Sequence, residues 1–366
     1  MFQWYQNLKD LSHEYTRPDV KVRDFIVLIA SYGRPEGLQK MTMTTFKSFF
    51  EKVDYRIMVS DDDKTLPKYL EMFGDKVYVF NKDKVLEESN ADTADALTIK
   101  GVIFFERNIE FKVARELGYR YFMHLEDDYK AMNYRMVTND TSIPTCKMNL
   151  DYFHQICEMY FRVLDSSPFL NSVCMAQGGD YIGGRTNYFI KHGYRFKGMN
   201  IYCFDTEKEF KLPGRINEDA SAYYVNGKLG KLFLTPIMIQ LTQLPTQNNQ
   251  GGVSDIYKRF GTYLKSIYTV IQRPDALKIG IFTTNANSNV HHSDTRRLHH
   301  KCDTNLCFVK IVSDRYAQAT IPYSEVEQPD LNPDFEHQNY MESIELVKSI
   351  LAESISLAEQ LEEDMK

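Results

Sequence analysis

The sequence has no apolar run approaching the ~20 residues that a membrane-crossing helix needs; its best stretches are Phe25–Ala30 and Leu232–Gln240. Nor does the segment from Met1 to Lys9 show the basic-then-apolar pattern of a secretory leader. The six cysteines, Cys146, Cys157, Cys174, Cys203, Cys302 and Cys307, are scattered through 366 residues. That scatter fits reduced thiols better than a disulfide framework, so a cytoplasmic location is expected. There is no excess of positive charge: 44 Lys and Arg stand against 50 Asp and Glu, a net charge of −6. A generic nucleic-acid coat protein is thereby excluded, and any DNA contact must come from a local basic patch. No internal repeat or low-complexity tract is present. With 43% apolar and 26% charged residues, the chain is neither disordered nor fibrous.

What the sequence does have is length for an ample core, and aromatic rings. There are 24 Tyr and 23 Phe but a single Trp. Most of these rings are expected in the core, with aromatic-lined grooves for a flat or sugar-like ligand as a second use. Phe25–Ala30 is apolar throughout and rich in β-branched residues, as a strand covered on both faces should be. It stops at a turn cluster from Ser31 to Pro35. A helix over Gly37–Glu51 is expected next, then a strand over Tyr55–Ser60 running into Asp61, Asp62 and Asp63. Another helix precedes a strand over Val77–Asn81. Phe104–Leu117 reads as a helix ended by Gly118, and Tyr121–Leu125 as a strand running into Glu126, Asp127 and Asp128. Further strands are expected over Phe196–Asp205 and Leu232–Ile239, with a helix starting at Glu218. This alternation implies an α/β fold with a mostly parallel sheet and right-handed crossovers. Ligands of such sheets sit beyond the carboxyl ends of the strands. Here three strand ends carry polar groups: Ser31 to Arg34, Asp61 to Asp63, and Glu126 to Asp128.

Two acidic clusters carry candidate chemistry. At the end of the Tyr121 strand, Glu126 and Asp128 share one face if the strand continues, and Asp127 points away. Such a pair holds a hard cation and leaves positions open for phosphate oxygens. In Asn217-Glu218-Asp219, the asparagine caps a helix whose first turn holds two acids. The chemical reading of this pair is a general base at Asp219 that takes a proton from an acceptor hydroxyl.

The strand FIVLIASYGR, the strand ending SDDD, the helix with Arg107-Asn108 and Ala114-Arg115, the strand YFMHLEDDY and the later NEDASAYY together resemble the GT-A glycosyltransferases. In that fold an Arg-Asn helix precedes a metal-binding DxD strand, and an ED pair supplies the base of inverting members. Glu126 stands where the first Asp of DxD is usual. The segments Gln250 to Tyr257 and Arg259 to Tyr268, then Pro274, are similar to the TET-associated glycosyltransferase family. That family includes phage enzymes that attach sugars, arabinose among them, to hydroxymethylated pyrimidines of DNA. The resemblance implies a UDP-sugar donor and a Mn²⁺ or Mg²⁺ ion. It places Ser31 and Arg34 near the uridine and phosphates, Asp61 or Asp62 facing the uracil, and Arg107 and Asp127 on the donor. Glu126 and Asp128 are the implied metal ligands, and Asp219, with Glu218 beside it, the implied base. Many relatives add a late histidine; His291, His292, His299 and His300 are all candidates, and His292 is assigned to the metal set.

The stretch Asn285–His300 is expected to be a polar, lid-like loop, its histidines with Arg296 and Arg297 meeting phosphate; a zinc site with Cys302 and Cys307 is the weaker alternative. Arg185–Lys211 and Lys258–Arg273 interleave cations with Tyr and Phe. Arg185, Arg195, Lys197, Lys258, Arg259 and Lys265 are therefore candidate DNA contacts. Residues 1–24 read as an extension, 25–316 as the GT-A domain, and 317–366 as a C-terminal extension ending in an amphipathic helix over Glu336–Lys366. The expected function is metal-dependent, inverting transfer of arabinose or glucose from a UDP-sugar to 5-hydroxymethylcytosine in DNA. The alternatives are a protein or glycan acceptor, or an inactive sugar-nucleotide-binding module. The sequence sets no oligomeric state.

Overall fold

The computed structural model describes residues 24–88, 103–135, 145–181, 189–190, 193–214, 216–244, 263–272, 274, 277–283 and 296–302. Strand β1 (Phe25–Ala30) is buried along its whole length, as its continuous apolar sequence requires. It lies between β2 (Asp54–Ser60) and β4 (Tyr121–Glu126), parallel to both, and β3 (Val77–Phe80) runs parallel to β2 on the outside. This half of the sheet is the doubly covered parallel layer expected from the alternation of elements.

Beyond β4 the pairing becomes mixed. Strand β9 (Asn200–Asp205) is antiparallel to β4, and β7 (Leu170–Gln177) is antiparallel to β9. Strand β11 (Ile239–Gln243) runs parallel to β7, followed outward by β5 (Tyr129–Arg135) and β6 (Thr145–Lys147), both antiparallel pairings. Strand β10 (Leu232–Pro236) lies parallel to another part of β7 and carries β8 (Tyr194–Arg195). The helices α1 (Leu66–Phe73), α2 (Ile103–Glu116), α3 (Phe153–Asp165) and α4 (Glu218–Lys228) connect these strands. Helix α2 packs over β1 and β4, and α3 over β7 and β9. Most phenylalanines are indeed core: Phe25, Phe46, Phe49 and Phe153 cluster on one side, Phe111, Phe122, Phe204 and Phe210 on the other.

Register brings the polar ends level. Ala30 pairs with both Met58 and Glu126, so the residues that follow β1, β2 and β4 emerge side by side. The four-strand parallel half thus concentrates Ser31, Asp61–Asp63 and Glu126–Asp128 at one edge.

Several elements depart from expectation. The helix over Gly37–Glu51 is two short turns, Pro35–Leu38 and Lys47–Phe50, separated by a π-turn over Gln39–Met43. The interruption lies where Thr42 Oγ1 donates to the Glu126 carbonyl (2.7 Å) and accepts from the Tyr129 N–H (3.1 Å). Thr45 Oγ1 donates to the Tyr129 carbonyl at 3.1 Å. Two threonine hydroxyls pin the β4–β5 turn, and the helix gives way to reach it. The strand expected over Phe196–Asp205 begins only at Asn200, and Ile201, left-handed at φ +43°, makes a bulge within it where the register with β7 shifts between Cys174 and Met175. The strand expected over Leu232–Ile239 is two strands, broken at Ile237, whose N–H bonds the Gly193 carbonyl at 2.9 Å. Of the polar stretch Asn285–His300, residues 285–295 lie outside the described residues. Arg296–Cys302 is not loop but strand β13, antiparallel to β12 (Leu277–Thr283). The C-terminal helix and residues 1–23 also lie outside the described residues.

Gly198 precedes β9 at a point where neighbouring side chains leave no room for a Cβ. A Cβ there would lie 2.7 Å from Cys174 Sγ and 2.8 Å from the Tyr202 ring, both buried. Gly198→Ala should therefore destabilise the fold by ~1–3 kcal/mol, the usual scale of overpacking. Urea unfolding should show a lower midpoint with an unchanged slope.

Candidate active site

The site is built around one buried guanidinium. Arg107 lies on α2 with its side chain 2% exposed. Its NH2 donates to Glu126 Oε1 and its NH1 to Glu218 Oε1, each at 2.7 Å. Its Nε–H donates to His124 Nε2 at 3.2 Å, and its carbon sits 5.0 Å from the Tyr202 ring centroid. One side chain thereby joins α2, the end of β4 and the start of α4. Its neighbour Asn108 reinforces the joint: its amide donates to the Leu212 carbonyl (3.2 Å) and accepts from the Leu212 N–H (3.0 Å). The Arg-Asn pair of the sequence is thus a double fastening of the segment that leads into α4.

The other end of the acidic turn is held by β1. Ser31 Oγ donates to Asp127 Oδ2 at 2.7 Å, and Arg34 NH2 lies 2.9 Å from Asp127 Oδ1. Gly33, at φ +72°, turns its N–H onto Asp63 Oδ2 at 2.7 Å. A side chain at that position would be strained, so glycine is required. Asp63 also accepts from the Thr65 N–H (2.7 Å) and closes the loop. Asp61 accepts from Asn81 Nδ2 at 2.5 Å, and Asp62 pairs with Lys82 at 2.9 Å. Lys82 lies over the Tyr32 ring, 4.7 Å from its centroid.

Helix α4 starts without a side-chain cap. Asn217 is left-handed (φ +56°), and its amide donates to Thr269 Oγ1 on α5 (Tyr263–Gln272) instead of closing the helix. This turn aims Glu218 inward, where it is buried against Arg107. Asp219, next in the first turn, is only partly buried, and its Oδ1 accepts from the Ala220 N–H at 2.6 Å. Of the ED pair, Asp219 is therefore the member open to a substrate. Nearby, at the start of β9, the Asn200 amide donates to Gln177 Oε1 at 2.8 Å.

Five carboxylates, Glu126, Asp127, Asp128, Glu218 and Asp219, share this edge with two guanidinium groups, Arg34 and Arg107. Burial pushes Glu126 up to about 8, against the pull of Arg107 and with added repulsion from Asp128 and Glu218. Burial likewise raises Glu218 to about 7 and Asp127 to about 6. Crowded, partly desolvated carboxylates are the donor set that a divalent cation relieves. Among the described residues no three His, Cys, Asp or Glu side chains are gathered closely enough to cage an ion alone. The residues present fit an ion that completes its shell with substrate oxygens and water.

Ser31, Arg34, Asp61, Asp62, Arg107, Glu126, Asp127, Asp128, Glu218 and Asp219 all fall at this edge, as the order of motifs implied. Three details differ from expectation. Arg107 is buried and directs donors of Nε, NH1 and NH2 to His124, Glu218 and Glu126, a bracing contact that the resemblance did not imply. Glu218 is likewise committed to Arg107. Asp127 does not point away from the site but into the β1 loop, because β4 ends at Glu126 and the chain turns. His292, Arg185, Lys258 and Arg259 lie outside the described residues; Lys265 falls on α5, with its side chain outside them. Arg195 and Lys197 are not displayed on an open basic surface: both face the buried Asp180, Arg195 at 3.9 Å. Four contributors were missed: Glu106, Glu110, Lys82 and His124. A usable signal existed for two of them, since Arg107 and Glu110 share a helix face at i,i+3 while His124 and Glu126 share a strand face at i,i+2.

A model of the TET-associated glycosyltransferase family matches residues 25–252. Among curated proteins there is no significant match. Among solved structures, glucosyl-3-phosphoglycerate synthase from Mycobacterium tuberculosis, in complex with Mn²⁺, UDP and phosphoglyceric acid, is 9% identical, with 79% of this chain and 94% of that one covered and a TM-score of 0.37. Mannosyl-3-phosphoglycerate synthase from Rubrobacter xylanophilus is 11% identical, covering 83% and 93%, with a TM-score of 0.37. S. aureus TarS 1-349 is 11% identical, covering 92% of both, with a TM-score of 0.33. Likenesses this distant carry no weight for function.

Glu106 makes the electrostatic strain measurable. Its carboxyl is buried, its Oε2 meets no hydrogen-bond partner among the described residues, and burial raises it from 4.5 to about 8. The folded state thus binds more proton than the unfolded chain between about pH 4.5 and 8, and stability falls as pH rises through that window. In Glu106→Gln this loss is absent. Melting curves should show the variant gaining on the parent as pH rises from 5 to 8, with no further gain above.

Proposed function

The chain belongs to the TET-associated glycosyltransferase family, and from that premise we propose that it moves a sugar, arabinose or glucose, from a UDP-linked donor to the hydroxymethyl group of 5-hydroxymethylcytosine in DNA. The observation that carries the reading is the convergence of three parallel strand ends and the α4 N-terminus on one acidic edge, with Asp219 as its open carboxylate.

In this reading Ser31 and Arg34 orient Asp127 toward the donor nucleotide. Asp62 and Lys82, with the Tyr32 ring beneath the ammonium, border the nucleobase side. Glu126 and Asp128 would hold a divalent cation, Mn²⁺ or Mg²⁺, whose charge would offset the negative charge of a departing diphosphate. Asp219 takes the proton of the acceptor hydroxyl as its oxygen bonds to the anomeric carbon and the bond to UDP breaks, so the anomeric configuration inverts. Glu218, tied to Arg107, steadies the first turn that carries Asp219. The charged acidic edge, with Asp128 and Asp219 both present, favours an enzyme over an inactive binding module.

The pairing of Arg195 and Lys197 with Asp180 favours a second reading at the acceptor step alone. If those cations are internal ties, the acceptor is a protein or glycan. One experiment separates the two. The chain is incubated with Mn²⁺, a panel of UDP-sugars and duplex DNA carrying 5-hydroxymethylcytosine, and nucleosides are read by mass spectrometry. A base heavier by one pentosyl or hexosyl group is expected; unmodified base with every donor overturns the DNA reading.

Two substitutions test the roles. Asp219→Asn is nearly isosteric and should retain UDP binding while transfer falls ~10²-fold or more, the scale of losing a general base. Asp128→Ala should fold normally, lose transfer and lose the dependence of UDP affinity on Mn²⁺, read by calorimetry. Full turnover of Asp128→Ala in excess chelator would remove the metal from the reaction.

A further inference from the structure

Behind the acidic edge a line of polar groups runs into the core. Glu110 and His124 are completely buried, and His124 Nδ1 lies 2.7 Å from Glu110 Oε1 and 2.9 Å from Oε2. The other ring nitrogen accepts from Arg107 Nε–H at 3.2 Å. A neutral imidazole that accepts at Nε2 carries its proton on Nδ1, so the Glu110 carboxyl is the acceptor of that proton. The order is therefore Glu110, His124, Arg107, and then both Glu126 and Glu218.

We propose that Glu110 and His124 are positioning residues for the transfer reaction: they fix the plane of the Arg107 guanidinium, and through it the placement of Glu126 and Glu218. The inference rests on the reading of the acidic edge given above. The two carboxylates arrive from different elements, the end of β4 and the first turn of α4, and nothing in either element sets their separation. The fork of Arg107 does, through NH1 and NH2, and a planar fork transmits its orientation to both partners. With those two donors engaged, Nε–H is the donor on the stem side of the plane, and His124 Nε2 is where it points. Glu110 then prevents the ring from rotating away. Packing alone does not call for this arrangement. A buried chain of charged and polar groups costs desolvation that an apolar core of the same volume avoids, and here it ends on Glu126, at the acidic edge, and on Glu218, whose helix turn carries Asp219. Second-layer partners of this kind hold a reacting geometry within tolerance, and misplacement by about 1 Å can cost ~10²-fold in rate.

Two conservative variants divide the two ends of the imidazole. The amide oxygen of Gln reaches the place of Nε2, so His124→Gln keeps an acceptor for Arg107. Asn reaches only the place of Nδ1, so His124→Asn keeps the Glu110 side and leaves Arg107 Nε–H unmet. Turnover is read as Mn²⁺-supported hydrolysis of UDP-glucose by the full chain, with melting temperature alongside. The expected result is a kcat roughly 10-fold or more lower in His124→Asn but within roughly 3-fold of the parent in His124→Gln. The KM for UDP-glucose should be little changed in either, and the two melting temperatures similar. Equal kcat values in the two variants, the reverse ranking, or activity that simply follows melting temperature overturns the proposal. Should the variants fail to fold, ¹⁵N spectra of histidine in the unaltered chain decide it: an Nδ1–H tautomer at His124 supports the chain of bonds, and an Nε2–H tautomer overturns it. Glu126→Gln separates the two levels. If it turns over like the parent, the reading of the acidic edge falls and this inference with it. If it is inactive while the His124 variants are equal, this inference alone falls.

Discussion

The structure depends on how one positive charge is accommodated in the core. Arg107 has five N–H donors in a rigid plane, and burying its charge is costly unless that charge is paired and hydrogen-bonded. Three of those donors are met by a histidine on β4, a glutamate at the end of the same strand, and a glutamate that opens α4. That requirement draws together α2, its neighbour β4 and, 111 residues further along the chain from Arg107, the start of α4. It also explains Asn108, which fastens the approach to α4, and the left-handed turn at Asn217, without which Glu218 would not face inward. Left-handed backbone is costly for residues other than glycine, and the two described instances, Ile201 and Asn217, flank this same edge.

Parallel strands supply the second constraint. Because β1, β2 and β4 run the same way and end level, their following loops share one surface. Each loop then satisfies its neighbour: Ser31 bonds Asp127, Gly33 bonds Asp63, and Thr42 bonds the carbonyl of Glu126. Side chains that look like independent polar loop residues are cross-braces. The result is a row of carboxylates held close together against their mutual repulsion, with too few guanidinium groups to balance them. Chemistry that places a cation and an anionic leaving group beside such a row gains from charge that the fold has already arranged.

Much of the acidic edge was legible in the sequence because strand ends in an alternating β/α pattern are marked by abrupt change. FIVLIA stops at Ser31, DYRIMVS at Asp61, YFMHLE at Asp127. An apolar run that ends on clustered polar groups is a local signal, and it located Ser31, Arg34, Asp61, Asp62, Glu126, Asp127 and Asp128 at this edge, while Arg107, Glu218 and Asp219 came from helix motifs of the resemblance. The Arg-Asn helix was legible too, but its role was not. A sequence shows that an arginine lies on a helix face; it does not show that two glutamates, one 19 and one 111 residues away, will reach it before a nucleotide does. The same limit applies to Arg195 and Lys197, which read as surface cations until Asp180 is seen beneath them.

The sequence by itself therefore determined the α/β class, the parallel half of the sheet and the positions of its polar ends, which follow from periodicity and from short local motifs, and the order of those motifs carried the resemblance to the family that matches residues 25–252. Only the tertiary structure decided which acid is open and which is bound, the left-handed turns that aim them, the mixed pairing of the second half of the sheet, and the Glu110–His124 support behind Arg107. The reason is physical. Hydrophobic periodicity is a property of neighbours along the chain, whereas the partner of a buried charge is whichever group the packed elements bring within ~3 Å, and that distance exists only after folding.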